Sequence, residues 1–266
     1  MSEQPSHGKP MWPYVVGAIV VGLGVIAFFL IKGIKEYNRP APEFPSLADS
    51  PDPSLHGTVA YFADTYDEAT QTGSGCVRLV AAAGGPSREL TGLCFTDEDG
   101  LTGPQLAFLP DGRLQVTMFR WPTDQPLVVA WQKIVDVATG EVEEVPAGQL
   151  PAAPFPLAPG VGPAGETIRA KSTGGHAEIV LIDAAGTERT LMSATVSPEY
   201  QIRATWGARG EWILADDGRL LVVTLGDPAA TRVLVAAHGG VGGYGSTDPL
   251  LVTFAVTDAD LLTPEG

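Results

Sequence analysis

The sequence predicts an all-β domain that follows a single N-terminal transmembrane helix. Three observations predict this: an uncharged apolar run at 14–31, short alternating strand patterns from residue 57 onward, and turn signals that recur along that second region. Helical periodicity does not reappear after residue 40. We therefore divide the chain into a short N-terminal tail (1–11), a transmembrane helix (12–34), a proline-rich stalk (35–55) and a β domain (56–262).

The apolar run has the length and composition of a membrane span. Its eighteen residues carry no charge, and twelve of them are Val, Ile, Leu or Phe. At about 1.5 Å per helical residue the run is about 27 Å long, close to the hydrocarbon core of a bilayer. The residues that mark the span are Tyr14, Gly17, Ala18, Gly22, Phe28 and Ile31.

Two alternatives exist for this segment. A cleaved signal peptide usually has an apolar core of about 7–15 residues, whereas this core is longer and is followed by Lys32 and Lys35 rather than by a cleavage site. A buried helix of a soluble domain would show a polar face, and the run has none. Within the span, Ala18 and Gly22 form a small-xxx-small pair, which permits a dimer through the transmembrane helix.

The rest of the chain is strongly acidic. Of 16 Lys and Arg and 31 Asp and Glu, four basic and two acidic residues precede position 41, which leaves 12 against 29, or −17 net. Such a surface repels phosphate backbones, so nucleic acid is excluded as an expected partner. Residues 40–54 contain five prolines. They predict a semi-rigid stalk that lifts the domain up to about 45 Å, at about 3.1 Å per residue.

Turn signals repeat between the predicted strands. The sequence Asp111-Gly-Arg-Leu recurs at Asp217, 106 residues later. A strand that ends in Asp and small residues, then Gly and a polar strand, occurs at 134–145 and 181–191, with shorter variants at 79–90 and 223–234. Glycine supplies the positive φ that tight hairpins require. Four hairpins at intervals of about 43–56 residues are typical of one hairpin in each blade of a β-propeller.

Two stretches resemble a known repeat. FLPDGRLQVTMF (108–119) and WQKIVDVATGEVEEV (131–145) are similar to the TolB-type, WD40-like propeller repeat. The resemblance covers residues 57–258 and implies a small propeller of about four blades. The first unit lacks its innermost strand, which the terminal run 249–258 would supply and so close the sheet. A β-sandwich or an open blade array is the alternative fold.

The two cysteines, Cys76 and Cys94, lie in the first unit. If residues 84–86 form the turn, residues whose numbers sum to about 170 face each other across the hairpin. The numbers 76 and 94 sum to 170, so the two cysteines are expected to face each other. A cross-strand disulfide is then geometrically reasonable and contributes about 3 kcal/mol by the loop-entropy relation. Two buried free thiols are the alternative. A metal site is not expected, because no C-x-x-C pair or nearby histidine completes a tetrahedral set.

No catalytic constellation is present in the sequence. A nucleophile elbow is missing, because Thr72 and Cys76 stand where glycines would have to flank Ser74. The glycine patterns at 160–165 and 240–245 lack the strand-then-helix context of a dinucleotide site. The histidines of the domain lie in three separate turns: His56, His176 and His238. We therefore predict a protein that is not an enzyme and that carries no cofactor.

Acidic clusters are the remaining ligand candidates. Carboxylates could hold calcium, and the clusters are Asp64/Asp67/Glu68, Asp97/Glu98/Asp99 and Asp216/Asp217. Asp97 and Asp99 are the best of these, but they lack the ligand ladder of an EF-hand, so no metal site is predicted. The tryptophans Trp121, Trp131, Trp206 and Trp212 would line the channel of a ligand-binding propeller; we expect most of them in the blade core.

These observations favour a membrane-tethered interaction, scaffold or accessory module whose partner is another membrane protein or complex. The alternative is a ligand-sensing or enzymatic propeller that binds a sugar, a peptide or calcium. The cysteine pair, the stalk and the acidic surface predict an extracytoplasmic domain on a single-pass protein of the cell membrane, with a cytoplasmic N-terminus. Lys32, Lys35 and Arg39 favour the opposite orientation by the positive-inside rule.

Overall fold

The structure, a computed structural model, describes residues 43–67, 72–96, 104–120, 128–146, 161–173, 175–195, 202–226, 228–236 and 254–262. The chain divides into two compact units, Met1–Ala41 and Pro42–Gly266, and all of the described residues lie in the second. These residues include no helix that is long and apolar enough to cross a bilayer. The transmembrane helix predicted at 12–34, with all its marker residues, lies outside the described ranges and stays a prediction.

The described residues form fifteen strands and one 3-10 turn, Ala208–Gly210. The strands are β1 (Thr58–Asp67), β2 (Thr72–Ala81), β3 (Arg88–Thr96), β4 (Gln105–Phe108), β5 (Leu114–Arg120), β6 (Val128–Val135), β7 (Val142–Val145), β8 (Thr167–Thr173), β9 (His176–Ile182), β10 (Glu188–Thr195), β11 (Arg203–Trp206), β12 (Trp212–Asp216), β13 (Leu220–Thr224), β14 (Thr231–Val235) and β15 (Phe254–Thr257). The predicted all-β class is therefore confirmed for this part of the chain.

The strands pair into four antiparallel sheets. Sheet I has the order β15-β1-β2-β3, sheet II the order β4-β5-β6-β7, sheet III the order β10-β9-β8 and sheet IV the order β11-β12-β13-β14. Sheet III thus has three strands where the others have four. Short strands joined by tight turns are what a chain rich in Val, Gly and Pro favours, because Val suits strands and Gly and Pro suit turns.

The last strand joins the first sheet. β15 pairs antiparallel with β1, so that Thr257 faces Thr58 and Phe254 faces Tyr61. Beyond the strand, Asp260 Oδ1 accepts a hydrogen bond from the Gly57 backbone amide at 2.7 Å. The prediction that the terminal run supplies the missing strand of the first unit is confirmed, and this strand covers an edge of β1 that would otherwise be exposed.

Three apolar cores connect the sheets. The core between sheets I and IV contains Val59, Trp212 and Phe254. Sheets I and II share a second core around Leu79 and Leu114, and sheets III and IV share a third core. The sheets therefore stand in the series II–I–IV–III. Among the described residues, no apolar core joins sheet II to sheet III.

Residues 43–55, which we call the strap, pack onto the domain and do not form a stalk. Ser46 makes a parallel bridge with Val233 of β14. Leu47 is fully buried and Leu55 nearly so, both in the core between sheets I and IV. The stalk prediction is wrong for these residues, because their two leucines bury apolar area that the proline content of the segment conceals.

The predicted hairpins are present. They join β2–β3, β6–β7, β9–β10 and β13–β14. If β15 is left aside, each of these pairs consists of the last two strands of its sheet in chain order. Asp136 Oδ1 accepts hydrogen bonds from the amides of Ala138 and Thr139, and Gly140 has a φ of 76°. The turns at Asp111 and Asp217 join β4–β5 and β12–β13, so this repeated sequence serves different strand pairs in sheets II and IV.

Candidate functional site

The cysteines form the predicted disulfide. Cys76 of β2 and Cys94 of β3 face each other, with their Cα atoms 4.0 Å apart. Next to them, Glu89 Oε1 lies 3.5 Å from Cys94 Sγ, and Glu89 Oε2 lies 2.9 Å from Arg78 Nη2. The structure thus adds a carboxylate and a guanidinium that the sequence analysis did not place there.

A bulge in β3 explains why Glu89 was missed. Cys76 faces Cys94, but Arg78 faces Glu89, so three extra residues of β3 leave the regular ladder between these pairs. Leu90 and Leu93 of this segment are buried in the core between sheets I and II. A regular hairpin would place Glu89 opposite Ala81. Gly92, which has a φ of 83°, is the one local signal of the bulge in the sequence.

Of the three acidic clusters, the structure describes the side chains of Asp216 and Asp217 alone. Asp97 and Asp99 lie outside the described ranges. Asp217 pairs with Arg219, Oδ2 to Nη2 at 2.5 Å, and this hydrogen bond raises the pKa of Arg219. Asp216 Oδ1 accepts a hydrogen bond from the Gly218 amide at 3.0 Å. These two carboxylates therefore fix a turn.

One histidine lies beside a hydroxyl and a carboxylate. His176 Nε2 is 3.2 Å from Ser193 Oγ and 3.3 Å from Glu178 Oε1. A nucleophilic triad needs the hydroxyl on one ring nitrogen and the carboxylate on the other, so that the acid orients the base. Here both contacts use the same nitrogen, so this arrangement is not a triad. His56 instead lies 3.5 Å from Asp260, and His238 is outside the described ranges.

The glycine pattern at 160–165 leads directly into β8, as expected of a loop rather than of a nucleotide-binding turn. The tryptophans that the structure describes are associated with the cores. Trp212 is fully buried and donates to the His56 carbonyl at 3.1 Å. Trp131 and Trp206 are partly buried and pack against the cores between sheets I and II and between sheets III and IV.

Sheet II carries a row of buried polar side chains on the face opposite its apolar core. Gln105, Thr117 and Gln132 are aligned across β4, β5 and β6, and all three are buried. Thr117 Oγ1 accepts hydrogen bonds at 3.3 Å from Gln132 and from Gln115, which is also on β5. A bonded row of this kind fixes strand register and has no group that acts as a base.

The outer face of sheet III carries exposed charged side chains, in contrast to the buried polar row of sheet II. Strand alternation directs Ile168 and Ala170 of β8 into the core with sheet IV, so the residues between them point the other way. We call this outer surface the sheet III face; its polar members are Arg169, Lys171, His176, Glu178, Glu188 and Ser193. Arg169 and Lys171 lie 2.8 and 3.7 Å from Glu188, and the three side chains are 43–48% exposed.

No protein-family model and no curated protein matches this chain. Two solved structures show a weak likeness. An acylaminoacyl peptidase of Pyrococcus horikoshii is 12% identical over 68% of this chain and 31% of its own, with a TM-score of 0.23. A protein from Lactobacillus plantarum is 11% identical over 68% of this chain and 67% of its own, with a TM-score of 0.18. This chain spans less than a third of the peptidase's length, and at these scores neither likeness supports a function.

Proposed function

We propose that this protein is a membrane-anchored, extracytoplasmic interaction module, a scaffold or accessory subunit that binds another membrane protein or complex. The observation that supports it is the sheet III face, where exposed groups of both charges cover a sheet whose other face is a packed core. Sheets I and IV, in contrast, contribute to apolar cores on both faces. A sheet face covered by exposed charged side chains at one end of the series provides a rigid surface for a partner.

We also propose that the four sheets act as blades of a small propeller. The pairing of β15 with β1 and the order of the three cores support this arrangement. An open blade array, which ends at sheets II and III, is the alternative.

The charges of the sheet III face fit a protein surface of mixed charge. The pairs that Glu188 makes with Arg169 and Lys171 are exposed, and such pairs stabilise a fold by only about 0–1 kcal/mol. They can therefore be exchanged for pairs with a partner at little loss. Complementary charges of this kind set orientation and the association rate more than affinity.

Affinity purification of the full-length protein from its native membrane tests the proposal. We expect a stoichiometric membrane partner with the wild type and a roughly tenfold lower yield with Arg169→Glu/Lys171→Glu. Arg113→Glu is the matched control, because Arg113, in the β4–β5 turn of sheet II, is 40% exposed and pairs with Asp111 and Glu143. Equal melting temperatures would show that all variants fold.

Two results would contradict the proposal. If the double variant retains the partner as well as the control does, the sheet III face is not the contact surface. If the wild type purifies as a monomer and is thermally stabilised by calcium or a sugar, the protein is a ligand sensor and not a scaffold.

A further inference from the structure

A set of metal-ligand side chains surrounds the disulfide on β2 and β3. The sulfur atoms of Cys76 and Cys94 and a carboxylate oxygen of Glu89 all lie within 4.8 Å of one another. Cys94 and Glu89 are exposed and Cys76 is half-buried, so solvent reaches the group. Two thiolates and one carboxylate are ligands that zinc accepts in a tetrahedral site.

We propose that reduction of this disulfide creates a zinc site. An external dithiol supplies two electrons and two protons, the S–S bond breaks, and the dithiol leaves as its own disulfide. The two new thiols then lose their protons to solvent as Zn²⁺ binds. Cys76, Cys94 and Glu89 provide three ligands and a water molecule the fourth, so the site exists only in the reduced protein.

The β3 bulge prepares this geometry. The backbone ladder brings the two cysteines together, and the buried Leu90 and Leu93 fix the segment that joins Glu89 to Cys94. At about 2.3 Å per Zn–S bond, tetrahedral coordination needs sulfurs about 3.8 Å apart. Rotation of the freed side chains about their Cα–Cβ bonds reaches this separation without moving the strands, because the Cα atoms are already 4.0 Å apart.

Charge and orientation also favour a divalent cation. Two thiolates and Glu89 carry three negative charges, and Zn²⁺ with the neighbouring Arg78 carries three positive charges, so the bound group is neutral. Arg78 holds the Glu89 carboxylate at 2.9 Å and so orients it beside Cys94. A side chain that hydrogen-bonds to a metal ligand and orients it in this way raises the affinity of the site for the metal.

Titration of the full-length protein in detergent tests the site. The protein is reduced with dithiothreitol, freed of it under argon and titrated with Cd²⁺, a probe whose bonds to thiolate absorb in the ultraviolet. We expect one equivalent to produce this absorption in the reduced protein and none in the oxidised protein. Zn²⁺ should displace Cd²⁺, and Glu89→Gln should weaken binding roughly 10–100-fold.

Glu143→Gln is the matched control, since Glu143 is also an exposed strand carboxylate that pairs with an arginine. It should leave the affinity unchanged. Zn²⁺ should also raise the melting temperature of the reduced protein and not that of the oxidised protein, which tests the site even if reduction loosens the fold. The proposal is overturned if the reduced protein shows no thiolate absorption, if Cys76→Ser/Cys94→Ser retains it, or if Glu89→Gln binds as tightly as the control.

This site uses residues of sheet I and not those of the sheet III face, and in an extracytoplasmic domain it forms only where a dithiol reduces the disulfide. A negative titration would therefore not contradict the interaction role, and a failed partner purification would not contradict the zinc site.

Discussion

Gly57 lies where the backbone closely approaches β15. Its φ of 103° lies in the left-handed region, and a Cβ atom there would meet the Thr257 carbonyl oxygen at 2.5 Å and the Ala208 Cβ at 2.6 Å. Gly112, in the β4–β5 turn, has a φ of 85° but open space around it. We therefore expect Gly112→Ala to destabilise the fold by about 1–2 kcal/mol, through backbone conformation alone, and Gly57→Ala to destabilise it more.

Urea denaturation of both variants measures this difference in the free energy of unfolding. Because both glycines have positive φ, the comparison isolates the steric conflict at Gly57. An equal loss at the two positions would show that β15 moves away from β1 without a measurable loss of stability.

Turn aspartates make the stability dependent on pH. Hydrogen bonds from the Thr139 amide to Asp136 and from the Thr187 amide to Asp183 lower the pKa of both carboxyl groups below the usual 3.8. A group with a lowered pKa stabilises the fold above its unfolded pKa, and this contribution is lost as the pH falls through the folded pKa. Asp136→Asn/Asp183→Asn should therefore melt below the wild type at pH 7, and the gap should shrink below about pH 4.

Thermal melting between pH 7 and pH 3 checks this expectation. A gap that stays constant over this range would mean that the aspartates act through their shape and not through their charge.

The cysteine pair shows what counting residues along a hairpin can and cannot predict. The count that predicted Cys76 opposite Cys94 assumed a regular ladder from a turn at 84–86. In the structure the ladder next to the turn pairs Arg78 with Glu89, and the bulge of β3 then brings Cys94 opposite Cys76. Glu89 could not be predicted by the same count, since the buried Leu90 and Leu93 shift β3 by three residues. The decisive interaction is their packing against sheet II, which no count along sheet I contains.

β15 is the strand that completes sheet I by pairing with β1. Phe254 is buried in the core between sheets I and IV, and Ala255 in the core between sheets I and II. Phe254→Ala should destabilise the protein by about 3–5 kcal/mol. It should also accelerate amide hydrogen exchange in the part of β1 that pairs with β15 (58–61), because this strand would then have an open edge.

Hydrogen exchange and denaturant unfolding of this variant are compared with those of Val128→Ala, since Val128 is 41% exposed at the start of β6. Loss of stability without faster exchange in β1 would mean that Phe254 supports the core but that β15 does not protect its neighbour.

Hairpins and the strap differ in how visible they are in the sequence. A turn such as that at Asp136 is determined by residues within a few positions, so its Asp and Gly suffice to predict it. The strap pairs Ser46 with Val233 and places Asp52 Oδ2 3.2 Å from Arg232 Nη1, so it contacts residues at least 180 positions away in the sequence. Such contacts depend on where sheet IV lies. The three prolines of the strap predict an extended chain whether or not that chain packs on the domain.

The order of the sheets was likewise beyond prediction from the sequence. Repeated hairpins predict four units, but not that sheet I contributes to two cores while sheet III contributes to one. The charged side chains of β8 alternate with apolar ones as on any half-exposed strand. Among the described residues, what distinguishes the sheet III face is that no other sheet packs on it.

The disulfide provides a test of which side of the membrane the domain occupies. Cys76 and Cys94 are the only cysteines of the chain, and Cys94 is exposed. An extracytoplasmic domain keeps this pair oxidised, so a membrane-impermeant maleimide should label intact cells only after treatment with an impermeant reductant. Cys76→Ser/Cys94→Ser has no thiol and should remain unlabelled in every condition. Labelling of the wild type only after cell lysis would place the domain in the cytoplasm, as the basic residues after the helix favour, and would refute the extracytoplasmic assignment.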